Sequence, residues 1–447
     1  MHPQPNFIYN FFLSDLPHTF NQEKSKPAKL GNLKIGSLFW ADDIVILSET
    51  KTGLQNSLDE LEQYCSKNEM KVNVEKTKCM IFNKGGRTMK SVKFFYDKKE
   101  IETVSCFSYL GFMLTPSFSI KKLLDDLYKR GLKAYFKLRN CLGKTFRSHI
   151  TLAIDLFDAL VKPILTYGID FWGCLKQAFS DMNPIEKLNI KLCKHILGVT
   201  KSTSNVGCRC ELGYSQLHIS NFKRNIKNWI RILHDPINDI LEMTYKENMT
   251  QGLTWTKNLQ NILTTHGLGD IWEYTHLNKL DHLSRTHTVN KIFQRVVDIS
   301  VQNTLTTLQK QPKMRTYCLF RKDVKLERYL TEINSSNTRT FLSKFRLSDH
   351  KLEIETGRYH RPKKTPEQRL CQNCGTIEDE IHCLITCKIN SSEREQTFAR
   401  ISIQDKTFYH FDEVTKFTYL LQNDNLCDQN IYSFIVKCLE NSYAAKL

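Results

Sequence analysis

Short apolar runs alternate with polar residues over the first 115 positions of this 447-residue chain, and their spacing predicts several strands and one helix. Two apolar runs, 38–40 and 44–47, flank the pair Asp42–Asp43. This pattern predicts a β-hairpin with the acidic pair at its centre and both strands substantially buried. Leucines then recur at helical spacing between positions 51 and 67, which predicts a helix with one apolar face.

Further strands are expected after this helix. The β-rich runs 71–73 and 79–82 predict two strands on either side of Lys76-Thr77-Lys78. A second hairpin is predicted from 92–96 and 101–104, with its turn at Asp97-Lys98-Lys99.

The pattern becomes helical from position 120 onward. Leucines and Tyr135 line one side of the segment 120–139, with lysines and arginines interspersed. Such a helix buries its apolar stripe and exposes its cations, which either solvate the surface or face phosphates. The whole chain therefore predicts an α+β fold, with strands early and helices over most of 116–350.

The charge balance favours an anionic partner. Sixty-four lysines and arginines against 47 aspartates and glutamates give a net charge of +17. A positive field of this size attracts polyanions, nucleic acid above all. A basic protein with no nucleic-acid partner is the alternative on charge alone.

Apolar runs, the N-terminal segment and the cysteines predict the cellular compartment of the protein. No apolar run approaches the roughly 20 residues of a membrane helix, so we expect no membrane partner. A secretory signal is not recognisable, and the 15 cysteines are therefore expected to be reduced thiols, some on metal. These features predict an intracellular protein of the nucleus or cytoplasm.

The Asp42–Asp43 pair is a candidate metal site. Two ionised carboxylates this close repel each other, and burial strengthens the repulsion unless a cation holds them. Mg²⁺ or Mn²⁺ would do so, because these ions take carboxylate oxygens and share their remaining positions with phosphates. The alternative is a solvated turn, in which aspartate is common.

The residues around the pair carry a family resemblance. In chain order the motifs are Phe12-Leu13-Ser14-Asp15-Leu16-Pro17, Trp40-Ala41-Asp42-Asp43, Met70-Lys71-Val72-Asn73, Lys76-Thr77-Lys78, Tyr109-Leu110-Gly111, Tyr167-Gly168, Trp172-Gly173 and Leu197-Gly198-Val199. Together with the cysteine cluster below, this ordered set resembles the reverse transcriptases of non-LTR (LINE-type) retrotransposons, from about residue 7 to residue 387. Trp40 departs from the commoner tyrosine or phenylalanine of that family.

The resemblance implies roles for individual residues. Asp42 would ligate the catalytic ions, Asp43 would be a second carboxylate, and Lys76 would face the incoming triphosphate. Asn73 would order the backbone near that lysine. Tyr109 and Gly111 would let their strand lie against the primer, although a strand that ends at a glycine turn is an equal alternative. Lys129 and Arg130 are expected to contact nucleic acid.

The resemblance also implies that a palm strand with a further aspartate is missing, because the segment before Phe7 is too short to contain it. In the family another aspartate lies upstream on a palm strand, beyond a helix that ends near Leu16. Two ions need more ligands than one hairpin supplies. We therefore expect a partial reverse-transcriptase palm with little or no polymerase activity by itself.

A cysteine–histidine cluster lies near the C-terminus. Cys371, Cys374, His382 and Cys387 have the spacing C-x2-C-x7-H-x4-C, which can supply a tetrahedral Zn²⁺ shell. Cys383 is a possible substitute ligand of lower rank. The alternative to a zinc site is a set of reduced thiols that bind no metal. The cluster is similar to the zinc-knuckle-like motif of the same retrotransposon proteins.

A basic run precedes this cluster, and its cations are expected to bind an RNA or DNA backbone. Its members are Arg358, His360, Arg361, Lys363, Lys364 and Arg369. A zinc that only holds a small domain closed is the alternative.

The expected segments are a partial palm (1–115), a helical thumb (116–205), a helical connector (206–350), the zinc-knuckle-like module (351–395) and a helical tail (396–447). The ancestral activity would be RNA-directed DNA polymerisation on an RNA template with a DNA primer or target. The alternatives are a non-catalytic RNA- or DNA-binding protein that uses the basic thumb and knuckle, and a non-functional gene product.

Overall fold

A computed structural model of the chain describes residues 13–83, 91–175, 183–234, 239–252, 254–422 and 429–446. Phe12, the first residue of the earliest predicted motif, lies outside the described residues, as does the position of Phe7. Within the described ranges the protein is mostly helical, with small sheets near the N-terminus and a Cys/His cluster near the C-terminus.

The strands lie between residues 28 and 114. They are β1 (Ala28–Leu30), β2 (Leu33–Ile35), β3 (Ser37–Trp40), β4 (Asp43–Ile46), β5 (Lys78–Cys79), β6 (Phe94–Tyr96), β7 (Lys99–Thr103), β8 (Phe107–Tyr109) and β9 (Phe112–Leu114). They pair as β1–β2, β3–β4, β5–β7–β6 and β8–β9, and every pair is antiparallel except the parallel β5–β7.

Helices account for most of the remaining secondary structure. Up to residue 211 they are α1 (Leu16–Thr19), α2 (Gln22–Ser25), α3 (Lys51–Lys67), α4 (Ile120–Leu142), α5 (Thr145–Ser148), α6 (Ile150–Leu160), α7 (Lys162–Leu165), α8 (Ile169–Trp172), α9 (Pro184–Leu197) and α10 (Asn205–Glu211). Beyond it they are α11 (Leu217–His234), α12 (Asp239–Thr250), α13 (Thr254–Thr265), α14 (Gly269–Leu277), α15 (His282–Gln309), α16 (Tyr317–Phe320), α17 (Tyr329–Glu332), α18 (Ser336–Arg346), α19 (Glu353–Thr356), α20 (Ser391–Gln404), α21 (Glu413–Gln422) and α22 (Gln429–Ala444). No helix in the described ranges combines the length and apolar character needed to cross a membrane.

Several predicted elements are confirmed, and one is wrong. Helix α3 has the predicted bounds, and the two predicted hairpins form as β3–β4 and β6–β7. The strand expected at 71–73 is absent from the described structure, and the one expected at 79–82 is reduced to β5. The cause at 71–73 is local: the Asn73 side chain accepts a hydrogen bond from the Lys76 backbone N–H at 3.1 Å, which favours a turn.

By its internal contacts the chain divides into two compact units. The first consists of the described residues of Met1–Asp126, Tyr167–Phe179 and Lys223–Ile292. Around the hairpins, its core forms where the apolar face of α3 meets the β6–β7 hairpin, with Leu58, Leu61, Phe94 and Ile101 all buried. The Thr50 side chain caps the start of α3 by accepting from the Gly53 N–H at 3.0 Å.

The second unit consists of the described residues of Leu127–Thr166, Ser180–Phe222 and Phe293–Leu447. Tyr135 of α4 is fully buried, and its ring meets the rings of Phe146 and Phe157 edge to face. Gly131 permits close packing here, because a Cβ at this position would lie 2.3 Å from a methyl carbon of Leu165. Helix–helix contact therefore builds this part of the core.

Candidate functional site

The acidic pair lies at the tip of the β3–β4 hairpin. Trp40 pairs with Asp43, so the two loop residues are Ala41 and Asp42, and Asp43 begins β4. The prediction of a turn made by both aspartates is therefore shifted by one residue. Ala41 has a φ of 54°, a left-handed conformation that costs an L-residue about 1–2 kcal/mol. Both carboxylates are exposed.

The predicted burial of both strands is wrong. Leu38 and Trp40 are 37% and 60% exposed, while Phe39, Ile44 and Ile46 pack against the core of the first unit. A two-stranded hairpin presents one face to the core and leaves the other in solvent, which explains the difference. Because water screens the exposed carboxylates from each other, the hairpin can form without a cation between them.

The β8–β9 hairpin carries Tyr109 and Gly111. Its two-residue turn, Leu110-Gly111, has positive φ at both positions, 47° and 74°. Burial raises the pKa of Tyr109, and the negative charge of Asp43 raises it further, which places these two side chains within electrostatic range. The structure thus brings the acidic tip and the predicted primer-contacting strand together.

A second predicted motif meets this hairpin. The Tyr167 hydroxyl donates a hydrogen bond to the Leu110 carbonyl at 2.5 Å. Gly168, with a φ of 66°, lies directly against the Phe112 ring, where a Cβ would be 2.7 Å from a ring carbon. Two short motifs, whose hydrogen-bonded residues are 57 positions apart in the sequence, therefore form one contact.

Lys76 is exposed on the turn that Asn73 stabilises. The Thr77 hydroxyl also donates to the Asn73 carbonyl at 2.9 Å, so the ordering of the backbone by Asn73 agrees with expectation. In the described structure no hydrogen bond or ion pair joins Lys76 to Asp42 or Asp43. Among the cations predicted on α4, Lys129 is exposed and Arg130 is half-buried.

The four predicted zinc ligands converge near the C-terminus. The ligand atoms of Cys371, Cys374, His382 and Cys387 all lie within 4.8 Å of one another. A tight turn brings the first two together, because the Gly375 N–H donates to the Cys371 carbonyl at 2.9 Å and Gly375 adopts a φ of 68°. The last two ligands lie on and just after the helical turn His382–Thr386.

His382 provides a test of whether a metal fits. Its Nε2 is buried and has no hydrogen-bond partner in the described structure, while its Nδ1 lies 2.9 Å from the Thr386 hydroxyl and 3.2 Å from that of Thr376. A ligating histidine commonly uses one nitrogen for the metal and hydrogen-bonds through the other. The donor set, three thiols and one imidazole, is also the set that Zn²⁺ prefers.

The thiols of the cluster differ in their surroundings. Burial opposes ionisation of Cys374, but a hydrogen bond from the Lys388 N–H and contacts with neighbouring thiols lower its pKa below the usual value. Burial raises the pKa of Cys387 to about 12. Cys383 points away from the cluster towards the Ser442 hydroxyl, 3.5 Å from its sulfur, which agrees with its lower rank as a ligand.

The basic run before the cluster is less available than its sequence predicts. Lys364 pairs with Glu353 at 3.1 Å, and Arg358 pairs with Glu355 at 2.9 Å. Arg369 is buried and donates to backbone carbonyls. His360 lies 3.7 Å from Glu353. The expectation of a free phosphate-binding run is therefore corrected: Arg361 and Lys363 remain as exposed cations with no acidic partner among the described residues, and Lys364 is half-buried in an ion pair.

Sequence reasoning missed Glu380, which lies between the predicted zinc ligands Cys374 and His382. This carboxylate is buried and accepts from Ser348 at 2.9 Å and contacts His350 at 2.8 Å. It also pairs with Arg315 at 2.6 Å. Its place among Asp and Glu residues of a polar loop gave no signal of burial, because the partners come from distant parts of the chain.

Comparison with known proteins identifies the first part of the chain. Residues 6–114, which include Asp42, Asp43, Lys76 and Tyr109, match the family described as Reverse transcriptase (RNA-dependent DNA polymerase). A transposon-derived protein of Caenorhabditis elegans is 24% identical over 179 residues, which cover 38% of this chain and 60% of that protein.

Two polymerases of Drosophila melanogaster are also similar. The RNA-directed DNA polymerase from mobile element jockey is 22% identical over 198 residues, covering 43% of this chain and 20% of that protein. The one from transposon BS is 27% identical over 202 residues, covering 42% and 21%. The match thus spans about one fifth of each of these two polymerases. The resemblance read from the ordered motifs is confirmed: residues 6–114 match the reverse transcriptase family, and the chain is distantly homologous to the RNA-directed DNA polymerases of the non-LTR retrotransposons jockey and BS.

Proposed function

We propose that the chain binds an RNA template and a DNA primer or target, and that its first 115 residues are part of the palm of an RNA-directed DNA polymerase. The observation that carries this proposal is the exposed Asp42–Asp43 tip, which lies inside the reverse transcriptase match and beside Tyr109. The activity of the Drosophila relatives supports the same function.

Within this proposal each residue has a task. Asp42 and Asp43 would ligate Mg²⁺ or Mn²⁺, which supplies positive charge to the phosphates during nucleotidyl transfer. Lys76, exposed on its turn, would attract the triphosphate of the incoming nucleotide. Tyr109 and Gly111 would support the primer backbone at the edge of the β8–β9 hairpin.

The C-terminal cluster would hold Zn²⁺ through Cys371, Cys374, His382 and Cys387. The convergence of the four ligand atoms and the unpartnered His382 Nε2 support this assignment. When bound, zinc would supply folding free energy to this module. The exposed Arg361 and Lys363 would then contact nucleic acid, and a zinc that is only structural is the alternative.

A non-catalytic RNA- or DNA-binding protein is the second candidate. The small number of metal ligands at the acidic pair favours this candidate. Each Mg²⁺ takes about six ligands, and one hairpin with two carboxylates supplies too few for two ions. Among the described residues, the one group of three or more converging His, Cys, Asp or Glu ligands is the C-terminal cluster. We therefore expect the chain by itself to bind nucleic acid and to extend a primer weakly or not at all.

The experiment uses the purified 447-residue chain and an RNA template annealed to a DNA primer. Binding is followed by fluorescence anisotropy over a range of salt concentrations, and extension is followed on gels with Mg²⁺. The expected result is binding that weakens steeply as salt rises, since phosphate contacts release counterions. Failure to bind at low salt would overturn the proposal.

Matched variants separate the two candidates. Asp42→Asn and Asp43→Asn are compared with Asp97→Asn, a change of the same chemistry at the tip of the β6–β7 hairpin. Binding of Mn²⁺ to the protein–primer–template complex, measured by electron paramagnetic resonance, should be lost in the first two variants only. Robust extension by the unmodified chain would contradict the non-catalytic candidate, whereas equal Mn²⁺ binding by all variants would contradict the metal role of the acidic pair.

A further inference from the structure

The three thiols of the C-terminal cluster differ in their access to solvent. Cys371 and Cys387 are buried, with 3% and 2% of their surface exposed. Cys374 is half-buried, and its neighbours in the chain, Asn373 and Gly375, are both exposed. Exposure is one of the properties that decide which thiol an oxidant attacks. A small oxidant in solution therefore meets the sulfur of Cys374 before the other two.

A second thiol lies directly beside Cys374. Its Sγ is 3.9 Å from Sγ of Cys387, which is 13 positions further along the sequence. The Lys388 backbone N–H donates a hydrogen bond to the Cys374 sulfur at 3.4 Å, so the chain immediately after Cys387 is held against this sulfur. Forming a disulfide of about 2.05 Å would bring the sulfurs roughly 2 Å closer, a movement that rotation of the two side chains can supply.

Cys371 is a less suitable partner for Cys374, because both lie on one tight turn. The Gly375 N–H donates to the Cys371 carbonyl at 2.9 Å, and the Cys371 N–H donates to the Thr376 carbonyl at 2.7 Å. A disulfide within this turn would have to reach its narrow range of dihedral angles while both hydrogen bonds hold the backbone. Cys387 lies on a separate segment and can approach Cys374 without any change within the turn.

We propose that Cys374 is a site of oxidation by peroxides and that Cys387 is the thiol that converts the oxidised sulfur into a disulfide. This inference rests on the zinc assignment of the proposed function, since its consequence is loss of that site. Two of the four converging ligand atoms would be joined to each other, and Cys371 and His382 cannot complete a tetrahedral shell by themselves.

The reaction consumes one molecule of hydrogen peroxide. The Cys374 sulfur attacks one peroxide oxygen, the O–O bond breaks, and a sulfenic acid and one water are formed. The Cys387 sulfur then attacks the sulfenic sulfur, and the S–S bond forms as the hydroxyl group leaves with the thiol proton as a second water. Two electrons pass from the sulfurs to the peroxide. A dithiol such as dithiothreitol reverses the change by thiol–disulfide exchange.

The first test treats the zinc-loaded 447-residue chain with increasing amounts of hydrogen peroxide and follows zinc with a coloured chelator. About one zinc ion per chain should be released, and zinc binding should return after dithiothreitol is added. Cys141→Ser is the matched control, because it removes an exposed thiol of the same unit outside the cluster. This variant should release zinc at the same peroxide concentration. Retention of zinc at concentrations that oxidise Cys141 in the unmodified chain would overturn the inference.

Mass spectrometry identifies the two sulfurs that are joined. A protease that cuts after glutamate cleaves the denatured chain at Glu378 and Glu380, between the first two and the last two cysteines of this segment. In the oxidised chain the flanking peptides should remain linked, and fragmentation should place the bond between Cys374 and Cys387. Two separate peptides, with the disulfide between Cys371 and Cys374, would show that the assignment of Cys387 is wrong.

Two variants test the role of Cys387 directly. In Cys387→Ser the sulfenic acid on Cys374 has no adjacent thiol to react with, so dimedone should trap it and no linked peptides should form. Cys383→Ser is the control, because this buried thiol contacts Ser442, and it should give linked peptides like the unmodified chain. Equal trapping by dimedone in both variants would contradict the role of Cys387.

The inference and the zinc assignment can fail separately. If the chain is purified without zinc and binds none, the zinc assignment fails, and the linked peptides formed by the metal-free chain still decide whether the thiol pair exists. If the chain binds zinc but peroxide converts Cys374 only to the sulfinic or sulfonic acid, the thiol pair is wrong and the zinc assignment stands.

Discussion

Hairpin tips in the first unit use residues with positive φ that are mostly not glycine. Ala41, Asp97, Lys98 and Leu110 all adopt this conformation, with φ values between 46° and 61°. The sequence signals that usually mark such turns, Asn-Gly or Asp-Gly, are missing at these positions. The hairpins could be predicted from the flanking apolar runs, but the shift of the acidic tip to Ala41-Asp42 could not, because it depends on strand register.

Gly168 is expected to be less tolerant of a side chain than Gly143. Both have positive φ, 66° and 51°, so an alanine at either position adds about 1 kcal/mol of backbone strain. Only at Gly168 would the new methyl collide with Phe112, whereas the space around Gly143 is open. Gly168→Ala should therefore lower the free energy of unfolding by about 1–3 kcal/mol more than Gly143→Ala, as measured by urea denaturation. Equal losses would show that Phe112 moves aside freely.

His195 is expected to make stability depend on pH. Burial lowers the pKa of His195 to about 4, and the positive charges of Arg139 and Arg147 also lower it. An unfolded histidine binds a proton near pH 6.5, so between pH 6.5 and 4 the unfolded chain holds more protons than the folded one. The stabilisation is fully present above pH 6.5 and is lost as the pH falls towards 4.

The size of this effect can be measured against a variant. Since one proton corresponds to about 1.4 kcal/mol per pH unit, the unmodified chain should lose about 1–2 kcal/mol more than His195→Gln between pH 7 and pH 5. Urea denaturation at the two pH values gives the difference, which cancels the contributions of other titrating groups. An identical pH dependence in both proteins would contradict the assignment to His195.

Helices were easier to predict than strands in this chain. The apolar face of α3 repeats within the helix itself, so its bounds follow from local sequence. A strand is stabilised by neighbours that local sequence does not identify, which explains why 71–73 became a turn and 79–82 shortened to Lys78–Cys79. Burial of the β3–β4 hairpin was overestimated for the same reason.

The cluster of Cys371, Cys374, His382 and Cys387 gives a prediction of its own. The unmodified chain, purified without chelators, should contain about one zinc ion per chain, and Cys387→Ser should contain almost none, because one lost thiolate leaves the tetrahedral shell open. Cys383→Ser is the matched control, since this buried neighbour contacts Ser442 and not the cluster. Zinc is measured by plasma mass spectrometry.

Two results would contradict the ligand assignment. Full zinc content in Cys387→Ser would show that another residue completes the shell. Loss of zinc in Cys383→Ser, with unchanged circular dichroism, would make Cys383 the ligand in its place. Addition of a strong chelator to the unmodified chain should also expose residues of this module to proteolysis, because the proposed zinc ion would supply part of its folding free energy.

At the scale of the whole molecule, the net charge could be predicted from composition, but its distribution could not. The linear run from Arg358 to Arg369 is rich in cations, yet ion pairs with Glu353 and Glu355 and burial of Arg369 neutralise or hide much of it. Arg139 of α4 and Lys191 of α9 are well separated in sequence, and only the packing of the two helices brings their charges together. The resemblance to reverse transcriptases was the most predictable property, because it depends on the order of motifs and not on their contacts.

The ion pairs of Arg315 determine when the second unit can finish folding during synthesis and which fragments of it can fold. Its two carboxylate partners, Glu355 at 2.9 Å and Glu380 at 2.6 Å, leave the ribosome 40 and 65 residues after it. Until then the guanidinium lacks both partners, and the packing that buries Glu355 and Glu380 beside it cannot form. An expression fragment that ends before residue 380 would permanently lack Glu380, so useful fragments of the second unit need to extend through the cysteine cluster.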